Sequence, residues 1–382
     1  MAGEPPARIA IATHYYATGP AFALEAYLQP RVRELLFIAH PLFRGGGPSY
    51  FRRYRAAVLA ETRSRAAGIG ALRFFADLAR TRRWVRQAGR HDLFIAGDPL
   101  LAIAGLWLRR TGWVRAVTLY AIDYTPRRFS NPMMNRSYHR IDRFVSRHVD
   151  LIWNLSPAIE AARRQRDGPA RTAPQLVVPL GTEYRRIARK PLSHAAPHRI
   201  AFVGHLLEKQ GLQLAIAALP IVRRRVPDIS LLVIGDGPYR LTLERLAREA
   251  GVEDLVRFSG FVDDHAQIER ELAVCALGLA PYVPDADSFT RFADPGKVKT
   301  YLACGLPVIL TDVPAVAQLV ERAGAGRVVS YDAAALADAI IQYVTDPARL
   351  QRAREAAAEL GSGYAWDRVF SEAFHASAPY LG

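Results

Sequence analysis

Short apolar runs that stop at a glycine or proline and pass into a helical period recur through the second half of this chain. That rhythm limits the fold more than any other feature. The runs are 200–203, 231–234, 256–258, 277–280, 308–310 and 328–330. Helical periods follow at 212–225, 241–250, 266–272, 297–303, 315–322 and 333–344. Near-continuous apolar strands alternating with helices predict a parallel sheet covered on both faces. The first half repeats the pattern more loosely. Runs at 8–12, 35–39, 93–96, 116–120, 151–154 and 176–178 read as strands, and 21–28 reads as a helix. Residues 183–198, rich in Arg, Pro, Ala and His, read as a linker. The expected fold class is therefore α/β, with two doubly wound Rossmann-like domains facing across a cleft. Ligands of such sheets sit beyond the carboxyl ends of the strands, where the strand order switches.

A chain of 382 residues suits two cores of that kind. The most apolar stretch, 100–108, is about half the length a bilayer requires, so no transmembrane helix is expected. The first residues lack the pattern of a secretory signal, and Cys275 and Cys304 have no metal-ligand spacing around them. A cytoplasmic location, peripheral on the inner membrane face, is the expectation. Charge is uneven. Residues 1–200 hold 33 of the 51 Lys and Arg and 13 of the 36 Asp and Glu, a net of +20, which leaves −5 for the rest. The basic half and the acidic half are expected to meet different partners.

Five pieces of the second half carry chemistry. They are Phe202-Val203-Gly204-His205, with Gly211 opening the next helix; Ile234-Gly235-Asp236-Gly237; Ser259-Gly260-Phe261-Val262; Ala280-Pro281-Tyr282; and Asp294-Pro295-Gly296-Lys297-Val298-Lys299-Thr300-Tyr301-Leu302-Ala303-Cys304-Gly305-Leu306-Pro307. Glycines at strand ends let backbone N–H groups approach a phosphate at a helix N-terminus. In order and spacing, 199–346 resembles the donor domain of a GT-B glycosyltransferase of family 4, in the branch with Pro-x-Lys before the helix. The closing stretch from Tyr364 to Phe370 resembles that family's last helix, which crosses back to the first domain. The resemblance implies an acceptor-binding domain at 1–190, a donor-binding domain at 191–360 and a returning helix at 361–382.

It also implies roles. The base lies against Val262. The diphosphate meets the loop of Gly204, His205 and Lys209 and the helix opening at Gly296, with Lys297 on its first turn and Gly235 among the donor-binding residues. The family's two carboxylates fall on Phe292 and Thr300; Thr300 keeps a hydroxyl for the ribose. Asp287, Arg291 and Asp294 share that loop and are placed to compensate, Asp294 as a donor ligand. Asp285-Ala286-Asp287 matches a metal-binding D-x-D pattern but reads as a polar loop. No metal and no cofactor beyond the nucleotide-sugar substrate is expected.

In the first half, His14 and Gly19 occupy the loop after the first strand. His14 either faces the cleft as a catalytic residue or packs its loop; Gly19 is placed at the acceptor. Asp123 follows the strand at 116–120 and precedes Arg127 and Arg128. It reads as a general base, an acceptor ligand or a structural ion pair, with the two arginines at the acceptor. Between residues 50 and 90, Arg alternates with aromatics, as in Phe51-Arg52-Arg53-Tyr54-Arg55 and Arg82-Arg83-Trp84-Val85-Arg86. Read as helical, this stretch suits an anionic membrane surface. No nucleic-acid motif is present. The expected function is retaining glycosyl transfer from a nucleotide-diphospho-sugar to a lipid-linked or other glycan acceptor at the membrane. A nucleotide-sugar epimerase-like enzyme and a non-catalytic membrane partner with a degenerate donor site are the other two readings.

Overall fold

The computed structural model describes residues 4–15, 19–42, 47–55, 57–64, 71–168, 171–285 and 289–381. The chain divides into two compact units, one of residues 1–179 with 366–382 and the other of residues 180–365.

The first unit runs β1 (Arg8–Tyr15), α1 (Pro20–Leu28), β2 (Glu34–Pro41), β3 (Ser49–Arg55), β4 (Ala57–Ser64), α2 (Ala71–Ala88), β5 (His91–Ala96), α3 (Pro99–Arg110), β6 (Val114–Ala121), α4 (Pro132–His148), β7 (Leu151–Asn154), α5 (Pro157–Asp167) and β8 (Gln175–Val177). Among the described residues these strands form an eight-stranded sheet in the order β4-β3-β2-β1-β5-β6-β7-β8. All pairs are parallel except β2–β3 and β3–β4. The order reverses between β1 and β5, so the loops after those two strands flank the switch point. Helix starts follow one local rule. Asp98, Asn131 and Ser156 each accept a backbone N–H of the helix that a proline then opens.

Residues 51–55, expected on a helical stretch, are instead the antiparallel strand β3. Two carboxylates decide this. Glu25 of α1 takes Arg52 at 3.0 Å and the Tyr54 hydroxyl at 2.7 Å. Glu34 of β2 takes Arg53, Arg55 and Arg8. Side chains 52 and 54 thus point to one face and 53 and 55 to the other, a period of two. These arginines are paired within the unit and are not a free basic face.

The second unit runs β9 (Arg199–Val203), α6 (Leu212–Arg223), β10 (Ser230–Ile234), α7 (Arg240–Glu249), β11 (Val256–Gly260), α8 (His265–Ala273), β12 (Leu277–Ala280), α9 (Gly296–Ala303), β13 (Val308–Thr311), α10 (Ala317–Arg322), β14 (Gly326–Val329), α11 (Ala333–Val344) and α12 (Pro347–Ser362). Its sheet is wholly parallel, in the order β11-β10-β9-β12-β13-β14, with the switch point between β9 and β12. Phe202, Leu231, Val233, Leu277 and Leu279 pack one face under α6 and α11, and Ala201, Leu232, Ala280, Tyr301 and Leu310 pack the other.

Residues 183–198 are not a free linker. The Tyr184 hydroxyl donates to the Ala358 carbonyl at 2.9 Å, Ile187 is buried, and Arg189 donates to the Ala303 carbonyl at 3.1 Å. The segment lacks an apolar period because its polar groups do the docking. The second unit therefore begins at residue 180 and not at 191. The last helix, α13 (Trp366–Leu381), belongs to the first unit. Phe370 and Phe374 lie 5.4 and 6.3 Å from the Tyr27 ring of α1, and Trp153 donates to the Ser377 hydroxyl at 2.9 Å.

Candidate functional site

In the second unit, the loops after β9 and β12 press together at the switch point. Gly211 holds φ +77°, and a Cβ there would stand 1.6 Å from the Pro281 carbonyl oxygen. Only glycine permits that approach. Gly235 plays a similar part behind Gly204: its own Cβ would meet the Gly204 oxygen at 2.0 Å, and its N–H is spent on the Gly260 carbonyl. It supports the loop, and its N–H is not open to a ligand.

Lys297 projects from the first turn of α9 onto this loop. Its Nζ donates to Gln210 Oε1 at 2.7 Å and lies 3.9 Å above the Phe202 ring and 5.0 Å from that of Tyr282. A Cβ on Gly204 would stand 3.2 Å from it. Burial among aromatics drives the ammonium down to about 7. The amine thus has one neutral acceptor and two rings around it, and an anion delivered there gains a desolvated partner. Tyr301 fixes the frame beneath: its hydroxyl accepts the Val203 N–H at 2.7 Å and donates to the Leu279 carbonyl at 3.2 Å.

The other expected donor residues differ in exposure and bonding. Gly296 opens α9 exposed, with no side chain capping its turn. His205 is exposed, Lys209 is half-buried with its ammonium lowered by burial, and Val262 is half-buried beside Phe261, which is 74% exposed. Thr300 donates its hydroxyl to the Gly296 carbonyl at 3.1 Å, keeping lone pairs for a ligand. Asp294 departs from expectation. Its carboxylate accepts the Leu180 N–H at 2.6 Å and pairs with Lys299 at 3.2 Å, and both side chains are buried. It is consumed inside the unit, because Lys299 is a buried cation that requires a partner. Asp287 lies outside the described residues.

In the first unit, His14, one residue before the end of β1, meets two carboxylates. Its Nδ1 is 2.7 Å from Asp98, the N-cap of α3, and its Nε2 is 3.7 Å from Asp77 of α2. Burial opposes charge on the ring, but Asp98 and Asp77 outweigh it and raise His14 to about 9. Beside it, burial holds His40 neutral, at about 3, bonded to Ser49 and Thr81 at 2.9 and 2.8 Å. His14 is thus a standing imidazolium at neutral pH. Its two partners lie 63 and 84 positions away in sequence, and only Asp98, the residue before a helix-opening proline, carries a local signal.

Asp123 is 58% exposed on the loop after β6 and pairs with Arg128 at 2.8 Å. Burial opposes the Arg128 charge, yet Tyr138, Asp123 and Asp98 hold it above the usual guanidinium range. The field of Asp98 therefore reaches both His14 and Arg128. Arg127 is exposed, and Gly19 caps α1 through its carbonyl. Residues 16–18 of the first loop lie outside the described residues. Sequence reasoning missed Asp77, Asp98 and His40, whose roles come from contacts distant in the chain.

Residues 197–346 match the family Glycosyl transferases group 1. The chain is 29% identical over 279 residues to the putative colanic acid biosynthesis glycosyltransferase WcaL of Escherichia coli strain K12, covering 70% of this chain and 66% of that protein. It is 27% identical over 288 residues to the GDP-mannose-dependent alpha-(1-6)-phosphatidylinositol monomannoside mannosyltransferase of Mycolicibacterium smegmatis, covering 74% and 66%. Among solved structures, Anabaena Alr3699/HepE in complex with UDP-glucose superimposes with a TM-score of 0.70 at 18% identity, over 97% of this chain and 99% of that one. The chain has the fold of the GT-B glycosyltransferases, and its sequence match to Glycosyl transferases group 1 lies on the unit that carries Lys297.

Proposed function

We propose that the protein is a glycosyltransferase that holds a nucleoside-diphospho-sugar on its second unit and an acceptor glycan, lipid-linked or free, on its first. One observation carries the reading: the Lys297 amine stands over the Gly204 loop at the switch point, on the first turn of a helix whose N-terminus no side chain caps. Gly204, His205, Lys209, Gly296 and Lys297 form the diphosphate site, with Val262 at the base and Thr300 at the ribose. Lys297 and the helix N-terminus stabilise the charge that develops on the leaving diphosphate as the bond from the anomeric carbon breaks. Asp123, held by Arg128, accepts the acceptor proton as the new C–O bond forms. His14 acts by charge and position, since a protonated ring accepts no proton. Arg127, Arg128 and Gly19 bind the acceptor. Retention at the anomeric carbon, without a carboxylate nucleophile, completes the reading.

The acceptor is proposed to sit at an anionic membrane surface on the cytoplasmic side. Support comes from α4 in place of β3. Met133 is 79% and Phe144 49% exposed, beside exposed Arg136, Arg140 and Arg147, while Asp142, the acidic residue of that helix, is buried against Arg163. No helix among the described residues is long and apolar enough to cross a membrane.

The test is calorimetric titration with UDP-glucose, GDP-mannose and ADP-glucose, with Lys297→Ala as control. Binding of one donor, lost in the variant, supports the reading. A folded protein that binds none favours the non-catalytic alternative, for which the absence of a carboxylate at Phe292 and Thr300 is the supporting feature.

A further inference from the structure

Between the last turns of α2 and α3 lies a surface groove of about 540 Å³, lined by Arg82, Arg83, Arg86, Gln87, Trp107 and Trp113. That size falls within the roughly 300–1,000 Å³ of small-ligand sites. It is remote from the chemistry described above. The last turn of α2 leads into the start of β5, and the last turn of α3 leads into the start of β6. His14 near the end of β1, and Asp98 and Asp123 after β5 and β6, lie at the opposite ends of the strands, about 20 Å away at about 3.3 Å per residue.

The groove walls have an unusual composition for a protein surface. No lining residue is acidic. The Arg82 guanidinium stacks 3.4 Å above the Trp107 ring, and Arg86 lies 5.4 Å from that of Trp113. Stacking on an indole fixes the plane of a guanidinium and leaves its in-plane N–H donors free. Among the described residues, Arg82, Arg83 and Arg86 have no hydrogen-bond or ion-pair acceptor. Arg80, less than a turn earlier on the same helix, is by contrast held by Asp77 at 3.2 Å. Helix α2 thus spends its inward arginines, Arg73 and Arg80, on the core and presents three unsatisfied ones to the groove.

We propose that this groove is a second saccharide site, taking an acidic oligosaccharide. Carboxylate or phosphate groups satisfy the fixed guanidinium edges with charge-assisted bonds. The half-buried indole of Trp113, from which Arg86 stands 5.4 Å, offers apolar surface to the C–H face of a sugar ring, and the Gln87 amide reaches a hydroxyl. The choice of saccharide rests on the proposed glycosyl transfer; the binding chemistry does not.

The test titrates the full chain with tetragalacturonate, maltotetraose and tetraglutamate, followed by calorimetry and by indole NMR signals. Tetragalacturonate is expected to bind at least tenfold more tightly than the neutral sugar or the sugarless acid, and to shift the Trp107 and Trp113 signals. Trp113→Ala and Arg82→Gln are each expected to weaken it at least tenfold. Arg83→Gln/Arg86→Gln, at exposed positions, repeats the test without risk to the fold. Donor binding at Lys297, measured on the same samples, is expected to stay unchanged in all three. Absent binding, equal binding of tetraglutamate, or binding insensitive to these variants overturns the proposal. Loss of tetragalacturonate binding in Lys297→Ala also overturns it, by placing that ligand at the donor site. Failure of donor binding with tetragalacturonate still bound leaves the groove standing and removes only the transferase reading.

Discussion

Occupation of the Lys297 site by a diphosphate has a proton cost that the geometry sets. In the free protein the amine has Gln210, Phe202 and Tyr282 around it, and burial lowers it to about 7. A diphosphate at hydrogen-bond distance restores the charge and lifts the group well above neutrality. Binding then takes up the proton that the free amine lacks: about 0.1 at pH 6, about 0.5 at pH 7 and about 0.9 at pH 8, from the ordinary titration relation. The sign is definite. Donor affinity is level below pH 6 and falls by about tenfold per pH unit above pH 8, about 1.4 kcal/mol each. A nucleotide-diphospho-sugar is the right ligand, because its phosphates do not titrate in this range. The assay is calorimetry at each pH in buffers of different ionisation enthalpy, whose slope gives the protons bound. Lys297→Gln removes the titrating group and is expected to abolish the uptake along with most of the affinity. Zero uptake at pH 8, in protein that loses donor binding on Lys297→Gln, would falsify the argument, because the lysine would then be charged before the ligand arrives.

Other consequences are open to direct measurement. Asp294→Asn leaves Lys299 buried without its counter-charge and is expected to cost about 3–5 kcal/mol in chemical denaturation, most of it recovered by adding Lys299→Met; an unchanged midpoint contradicts the burial argument. Because His14 is raised above its ordinary value, its contribution to stability is full below about pH 6.5 and is lost as pH rises through about 9. Denaturation midpoints at pH 6 and pH 10 should therefore converge in His14→Gln, and the His14 resonance should move back toward its ordinary range in Asp98→Asn. Gly211→Ala forces a methyl into the Pro281 carbonyl at a left-handed position, and donor binding is expected to fall by more than tenfold with the first unit intact; wild-type affinity there rules out the tight loop contact.

The parts of this molecule that sequence made legible are those where one residue's chemistry and its near neighbours decide the outcome. The parallel strands of the second unit are continuous apolar runs, and Lys297 sits in a local Pro-Gly-Lys context. The strands emerge where they were expected, and Lys297 lies on the first turn of α9. Asp294 has an equally local context, yet its partner Lys299 turns it inward, since a buried cation outweighs a loop's preference for solvent. Strand β3 eluded the reading for a related reason: the carboxylates that fix it, Glu25 and Glu34, come from α1 and β2. His14 was not legible as an imidazolium, because the charges that hold it arrive from α2 and from the turn after β5.

The first unit is written in two pieces, with residues 180–365 between them. During synthesis, Tyr27 and Trp153 leave the ribosome long before Phe370, Phe374 and Ser377, which cover them. At about 5–20 residues per second, the interval amounts to roughly ten seconds or more. Throughout it the early segment shows aromatic surface to solvent, while the later one, contiguous in sequence, has all it requires to fold. The covering of the first unit is therefore completed only after all of residues 180–365 have been made.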